Sequence, residues 1–394
     1  MSGLTQMARS APAAARGERP VTTYKEDLIT ASLTVWPIIA MFFDGRGHNN
    51  ETGQESFWSL PHLFLYAGMT AIGVWIGLLV TKYQLAAGAD PRKSLIPDLK
   101  AIPVGYGVAI LGLLTLALGG PTDFIWHAAY GFEVGVDAIY SPPHLLLFFG
   151  GLLVSSTGIR SMWAKADITP DLKGFLPVLI SATLFIGVSG FITMYLSAFM
   201  TNVTPTSDFV ADYQAQFKDD FDDQTVSLNA GLTGYGDDQW PFYYYAASHG
   251  IASMIITTLI LLGPALLMLR RWRVPFGAMT LVFTGYGLLA SIMTEYRDWV
   301  LVIPLVLAGL AIDVVQSRSG KDRLTLGGIR TAGPIAAAVL WISYYGILAL
   351  DKGIGWDPTL WVGALMVGIM AGFGVAFLIA PPAYGPRLVD ASDG

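Results

Sequence analysis

Two stretches of the sequence place carboxylates and imidazoles at intervals that could hold a metal ion. In DGRGHNNETGQESFWSLPHLFLYAG, Asp44 is followed by His48 and then by His62; in DFIWHAAYGFEVGVDAIYSPPHLLLFFG, Asp123 is followed by His127 and then by His144. Positions i and i+4 of a helix lie one above the other, about 5–6 Å apart at Cβ, so each Asp–His pair can address one ion if the helix continues through it. His62 follows Pro61 and His144 follows Pro143. Proline suits the first turn of a helix, so each of these histidines opens a returning helix at the depth where the departing one ends. Two imidazoles and one carboxylate leave coordination positions open, a set suited to copper, iron(II) or zinc. The chain has no cysteine, which removes thiolate sites and disulfides from consideration.

The two stretches agree in order and kind, each ending in Ser-x-Pro-His-Leu-x-Leu-x-x-Gly, and read as an internal repeat of a helix pair. A third pair keeps only His249, in YAASHGIASM, as a further candidate ligand. Glu133 and Asp137, in the second copy, are candidates to orient ligands from behind, because a metal-bound histidine commonly donates its other N–H to a carboxylate. Solvation alone would equally explain two loop acids. A single histidine at a helix end is usually a cap or a solvated group; it is the repetition of the whole triad that favours metal.

The elements that must position these residues are membrane helices. Apolar residues make up 53% of the 394 and charged residues 13%, with a mean hydropathy of +0.53; about a quarter of a soluble protein is charged. The apolar residues fall into blocks of roughly 17–25, the length that crosses a bilayer as helix. Ten spans are predicted, near 25–44, 58–81, 102–121, 143–163, 175–200, 247–270, 276–293, 299–315, 328–349 and 359–381, giving an all-α integral membrane protein. The seventh and eighth are so close together, around Glu295, Arg297 and Asp298, that they could form one broken element. No alternation typical of barrel strands is visible.

With ten spans, 19 of the 23 basic residues fall on one side, leaving Arg46, Lys218, Arg297 and Lys352 on the other. Positively charged connections mark the cytoplasm, so both termini are expected inside and all five histidines near the outer ends of spans. The chain then divides into a tail (1–24), five spans with the doubled motif (25–200), an acidic outer loop (201–246), five more spans (247–381) and a second tail (382–394). The first 20 or so residues lack an apolar core and read as a tail, not a signal peptide. Trp58, Trp126, Trp240, Tyr243, Tyr244 and Tyr245 fit an interfacial aromatic belt, and Gly368 and Gly372 fit helix packing. Glu295, Arg297 and Asp298 read as an ion-pair cluster. Asp313, costly in lipid, must be paired or functional.

The Asp-x-x-x-His segment, followed by a loop and a histidine that opens the next helix, resembles the copper-binding motif in the C subunit of the particulate methane and ammonia monooxygenases. The resemblance covers about 25 residues per copy. The His-to-His interval is 14 in the first copy and 17 in the second, where that family's is slightly shorter. What it implies is a copper-leaning site facing outward.

Two function classes remain. One is a metal-dependent oxidoreductase, monooxygenase-like, acting on a small or hydrophobic substrate at the outer face of the cell membrane, with partner subunits or an electron donor supplied from elsewhere. The other is a permease for a metal ion or small solute. The cytoplasmic halves of spans one to four hold almost no ionisable residue in this reading, which favours the enzyme, since a transport path would continue in polar groups. A net charge of -6 and the absence of a basic surface exclude nucleic acid as a partner. No phosphate-cradling loop or serine triad is present.

Overall fold

The computed structural model describes residues 18–50, 58–89, 97–131, 136–165, 171–201, 204, 240–320 and 323–382. The first tail up to residue 17, Glu133, most of the acidic segment (205–239) and the last residues from 383 lie outside the described residues. The described elements are helices: α1 (Tyr24–Asn50), α2 (Leu60–Ala86), α3 (Tyr106–Tyr130), the short α4 (Val136–Tyr140), α5 (Pro142–Ser155), α6 (Thr157–Trp163), α7 (Leu172–Ile192), α8 (Trp240–Arg271), α9 (Ala278–Met293), α10 (Val302–Ser317), α11 (Leu326–Asp351) and α12 (Pro358–Ile379). Among the described residues nine helical stretches are long and apolar enough to cross a bilayer, with α5 and α6 together forming one of them, and α9 is a shorter apolar helix. The protein is an all-α multi-pass membrane protein.

Three departures from the sequence reading have local causes, and one open point is resolved. α1 runs past residue 44 to Asn50, so Asp44 and His48 share one helical face. The fifth span stops at Ile192 rather than 200; a 3-10 turn, Met194–Leu196, follows, and Tyr195 donates to Asn49 Oδ1 (2.7 Å), tying the turn to the end of α1. The fourth span is interrupted at Ser156, where the hydroxyls of Ser155, Ser156 and Thr157 donate back to the carbonyls of Leu152, Leu153 and Val154 and compete with the helical ladder. The seventh and eighth spans are two helices, not one broken element. Glu295 and Tyr296 take left-handed φ values of 55° and 61°, reversing the chain so that α9 and α10 pack side by side.

The helix pairs of the repeat, α1 with α2 and α3 with α5, meet at glycines. A Cβ on Gly68 would lie 2.9 Å from Pro37 N, and one on Gly150 would lie 2.9 Å from Gly112 O. These are the same position of the two copies, six residues after His62 and His144. Any larger side chain there would push apart the helices whose ends carry the Asp and His residues. Gly372 plays a comparable part between α11 and α12, its Cβ position 2.5 Å from Ala337 Cβ.

The end of the bundle opposite the histidines is not apolar, contrary to the sequence reading. Glu26, Asp27 and Lys82 are buried there. Lys82 donates to Glu26 Oε1 (2.6 Å), Tyr83 donates to Glu26 Oε2 (2.9 Å), Lys165 pairs with Asp27, and Ser161 and Tyr106 donate to Asp27 (both 2.9 Å). The two acids fall just inside the predicted start of the first span, and the two lysines fall in the predicted connections. The helix ends bring them together with opposite signs, which offsets the cost of burying each.

Asp313, buried in α10, accepts from the backbone N–H groups of Met279 (3.1 Å) and Thr280 (3.0 Å) and from the Thr280 hydroxyl (2.6 Å). It caps the first turn of α9 from a neighbouring helix, so its role is structural pairing. The Glu295 turn carries ion pairs, Glu295 with Arg46 (3.6 Å) and Asp298 with Lys352. Replacing Asp313 by Ala should cost about 1–3 kcal/mol, seen as a lower melting midpoint in detergent, while Asp313→Asn should lose less. Unchanged melting for Asp313→Ala would rule out the cap.

Candidate metal centre

The sequence repeat becomes a spatial one. Asp44 and His48 occupy the last turns of α1 and His62 the first turn of α2; Asp123 and His127 occupy the last turns of α3 and His144 the first turn of α5. All six side chains are buried, none more than 7% exposed. Asp44 Oδ2 lies 3.4 Å from His62 Nε2 and 3.8 Å from His48 Nε2. Asp123 Oδ1 lies 3.2 Å from His144 Nε2 and 3.4 Å from His127 Nε2. Within each group the potential ligand atoms are all within 4.8 Å of one another.

The two groups are also neighbours. His48 stacks parallel to His127 with ring centres 6.4 Å apart and meets His144 edge-on at 5.9 Å. Inside the groups the ring separations are 5.6 Å for His48–His62 and 5.8 Å for His127–His144. Spacing across the groups thus nearly equals spacing within them, so four imidazoles and two carboxylates form one cluster at one end of the α1, α2, α3 and α5 bundle.

Hydrogen bonds behind the rings settle which nitrogen faces inward. His127 Nδ1 is 3.2 Å from the carbonyl of Gly131, and His144 Nδ1 contacts the carbonyl of Ala138. A carbonyl only accepts, so each Nδ1 carries the proton, and in the neutral ring Nε2 carries the lone pair. His62 Nδ1 is 3.1 Å from Ser59 Oγ, the N-cap of α2. The Nε2 lone pairs of His127 and His144 therefore point at Asp123 Oδ1, 3.4 and 3.2 Å away, and the Nε2 atoms of His62 and His48 lie 3.4 and 3.8 Å from Asp44 Oδ2. Two acceptors facing each other in a buried space repel unless a cation sits among them. A fully protonated ring would instead close to about 2.7–2.9 Å on its carboxylate. Ligands about 2.1 Å from an ion at angles of about 90–109° sit about 3.0–3.4 Å apart, which matches three of the four separations, Asp44–His48 at 3.8 Å being longer. Asp44 Oδ1 and His48 Nε2 make no hydrogen bond among the described residues, as two buried polar atoms kept for a ligand would.

The copies differ in their supporting residues. Tyr66, on α2 of the first copy, donates to Asp123 Oδ2 of the second (3.0 Å). Its counterpart in the repeat is Phe148, which has no hydroxyl to offer Asp44. Ser59 caps α2, whereas Ser141, its counterpart, makes no side-chain cap and its buried hydroxyl has no hydrogen-bond partner among the described residues. Beneath the cluster a cavity of about 60 Å³ extends along the bundle axis, walled by Ile38, Met41, Ile72, Leu116, Leu147 and Phe148.

The other sequence candidates stand apart. His249, half-buried on α8, belongs to neither group. Asp137 is exposed on α4, and the backbone carbonyl of Ala138, not a carboxylate, holds His144. Sequence reasoning missed Tyr66 and Ser59; the Ser-x-Pro-His cap signature pointed to the serine, but nothing local reveals Tyr66, whose partner lies 57 residues away.

Fold and site together define a class: an all-α multi-pass membrane protein with two buried Asp/His/His groups able to hold a transition-metal ion. Compared with protein-family models, curated proteins and solved structures, the chain matches none. Tyr66→Phe should weaken metal binding about 10–100-fold, with the loss confined to the Asp123 group, as loss of a supporting hydrogen bond does. Equal weakening of both groups in a metal titration would show that the hydroxyl supports the bundle as a whole.

Proposed function

We propose that this protein is a membrane metalloprotein in which Asp44, His48, His62, Asp123, His127 and His144 hold two transition-metal ions in one centre, and that it acts as a copper-dependent oxidoreductase on a small or hydrophobic substrate at the outer face of the cell membrane. The observation that carries the metal is the convergence of four Nε2 atoms on two buried carboxylates near ligand spacing, with His127 and His144 presenting lone pairs. Copper is favoured over iron and zinc by the motif's resemblance to the monooxygenase C subunit, and by donors that are mostly imidazole. The outward orientation rests on the distribution of Lys and Arg. When bound, the ions would supply Lewis-acid and redox chemistry; the chain itself supplies fixed tautomers, a dry apolar floor and Tyr66 holding Asp123. An electron donor or partner subunits would complete the reaction.

A permease is the second reading, and the buried Glu26, Asp27, Lys82 and Lys165 layer at the far end favours it. Asp27 and Asp44 are 17 residues apart on α1, about 26 Å. The space between is apolar cavity wall, and an ion crossing it would be stripped of partners at high cost. The enzyme reading keeps the ions where the ligands are.

The test is metal analysis of protein purified in detergent and loaded with copper, iron or zinc. The wild type should retain about two equivalents of one metal, with His127→Ala and His48→Ala each losing at least one. If the ions share ligands, either substitution should empty both positions. Asp137→Asn, beside the cluster but exposed, should retain the full amount. Protein that binds no metal, or a His127→Ala variant that binds as much as wild type, would sink the reading.

A further inference from the structure

Along the outside of the bundle, a second cavity of about 820 Å³ runs between α2 and α3, from Trp58 and Phe124 near the cluster to Val80 and Pro97 toward the other end. The two helices that bound it belong to different copies of the repeat and pack far less closely than the partners within each copy. Small residues keep it open. A Cβ on Gly77 would meet nothing within 4 Å, and one on Gly73 would meet only Leu113 Cδ2, at 3.8 Å. Most of α2 and α3 faces outward, so in a bilayer the groove is open to hydrocarbon.

Three residues, Tyr66, Met69 and Leu116, line both this groove and the cavity beneath the Asp/His cluster. The two spaces are therefore separated by a wall one side chain thick. Tyr66 is tethered: its hydroxyl is bound to Asp123, and its ring lies against Gly120, whose Cβ position is 3.1 Å from Tyr66 Cε1. Met69 has no such tether and is unbranched with three rotatable bonds, so it can swing without moving the backbone. Leu116 rests against Gly150 and can change rotamer on the same terms. On α2, positions 66, 69, 73 and 77 recur at three- and four-residue intervals, so wall and groove lie on one helix face.

We propose that the groove is the path by which a small, uncharged apolar molecule leaves the bilayer hydrocarbon and reaches the centre, passing between Met69 and Leu116 while Tyr66 stays fixed. The class of molecule follows from the lining. The groove is apolar except for Trp58, Tyr66 and Thr70, so a charged or strongly hydrogen-bonding molecule would find few partners before the cluster, and stripping it of water would be costly. Size is limited by the inner cavity of about 60 Å³, against about 10–15 Å³ for one water, which admits a molecule of only a few heavy atoms. This inference deepens the metal-centre reading by naming the substrate class, and rests on it for what happens at the end of the path.

Xenon is a suitable probe, since it enters dry apolar cavities. In lipid nanodiscs, xenon NMR should show a bound population in the wild type exchanging with lipid-dissolved xenon. Gly73→Phe and Gly77→Phe place a ring in the open groove and should slow that exchange at least tenfold without lowering occupancy. Gly346→Phe, where a Cβ also meets nothing within 4 Å but on α11, should leave it unchanged. The path is overturned if no xenon binds, if both groove variants exchange at the wild-type rate, or if they change the oligomeric state, which would make the groove a subunit contact. Metal content of the same samples separates the two readings. Full metal with unchanged exchange rejects the path alone; slowed exchange in a protein that takes up no metal rejects the centre and keeps the path.

Discussion

Asp44 and Asp123 are carboxylates withdrawn from water at the end of a membrane helix bundle, and their desolvation is the constraint around which the first four spans are arranged. A buried carboxylate is tolerated only with a compensating charge or a full set of donors. Here the groups facing the two acids are histidine rings from the same and the returning helix. Everything that fixes those rings follows from this need: the prolines that start α2 and α5, the Ser59 cap, the Gly131 and Ala138 carbonyls, and the glycines at 68 and 150 that let each helix pair close.

The opposite end solves the same problem by different means. Glu26 and Asp27 are satisfied by Lys82, Lys165, Tyr83, Tyr106 and Ser161, so cations and hydroxyls of the chain itself are already in place. Carboxylates matched by lysine at one end and by imidazole lone pairs at the other, with an apolar cavity between, separate a closed structural layer from one built to receive something. Asp313 belongs with the first kind, since backbone N–H groups and a hydroxyl surround it.

What could be read from the sequence was whatever one helix fixes by itself. Span lengths follow from the bilayer, the Asp–His pairs from the i, i+4 spacing, and the placement of His62 and His144 from the proline before each. Relations between helices were not legible. The nearness of the two triads depends on how α1 and α3 approach, and no periodicity encodes that. Nothing in the sequence marked Tyr66, Glu26 or Asp27, because a partner 56 or more residues away leaves no trace in local pattern. The same holds for the fifth span, where the hydropathy continues to residue 200 but the chain turns at Ile192 to let Tyr195 reach Asn49.

The exchange of tyrosine for phenylalanine between the two copies carries a consequence of its own. In a duplicated pair with identical surroundings, two ions would be taken up with equal affinity and share one reduction potential. The Tyr66 hydroxyl holds one oxygen of Asp123 in place, while Phe148, the counterpart of Tyr66 in the repeat, has no donor to give Asp44. A carboxylate held by an outer hydrogen bond keeps a metal more firmly, so the pair would have a built-in order: an ion offered to both groups would settle first at Asp123, and the Asp44 position would be the more easily emptied. Asymmetry of this kind would let the two positions fill one after the other, an order that symmetry would have denied them.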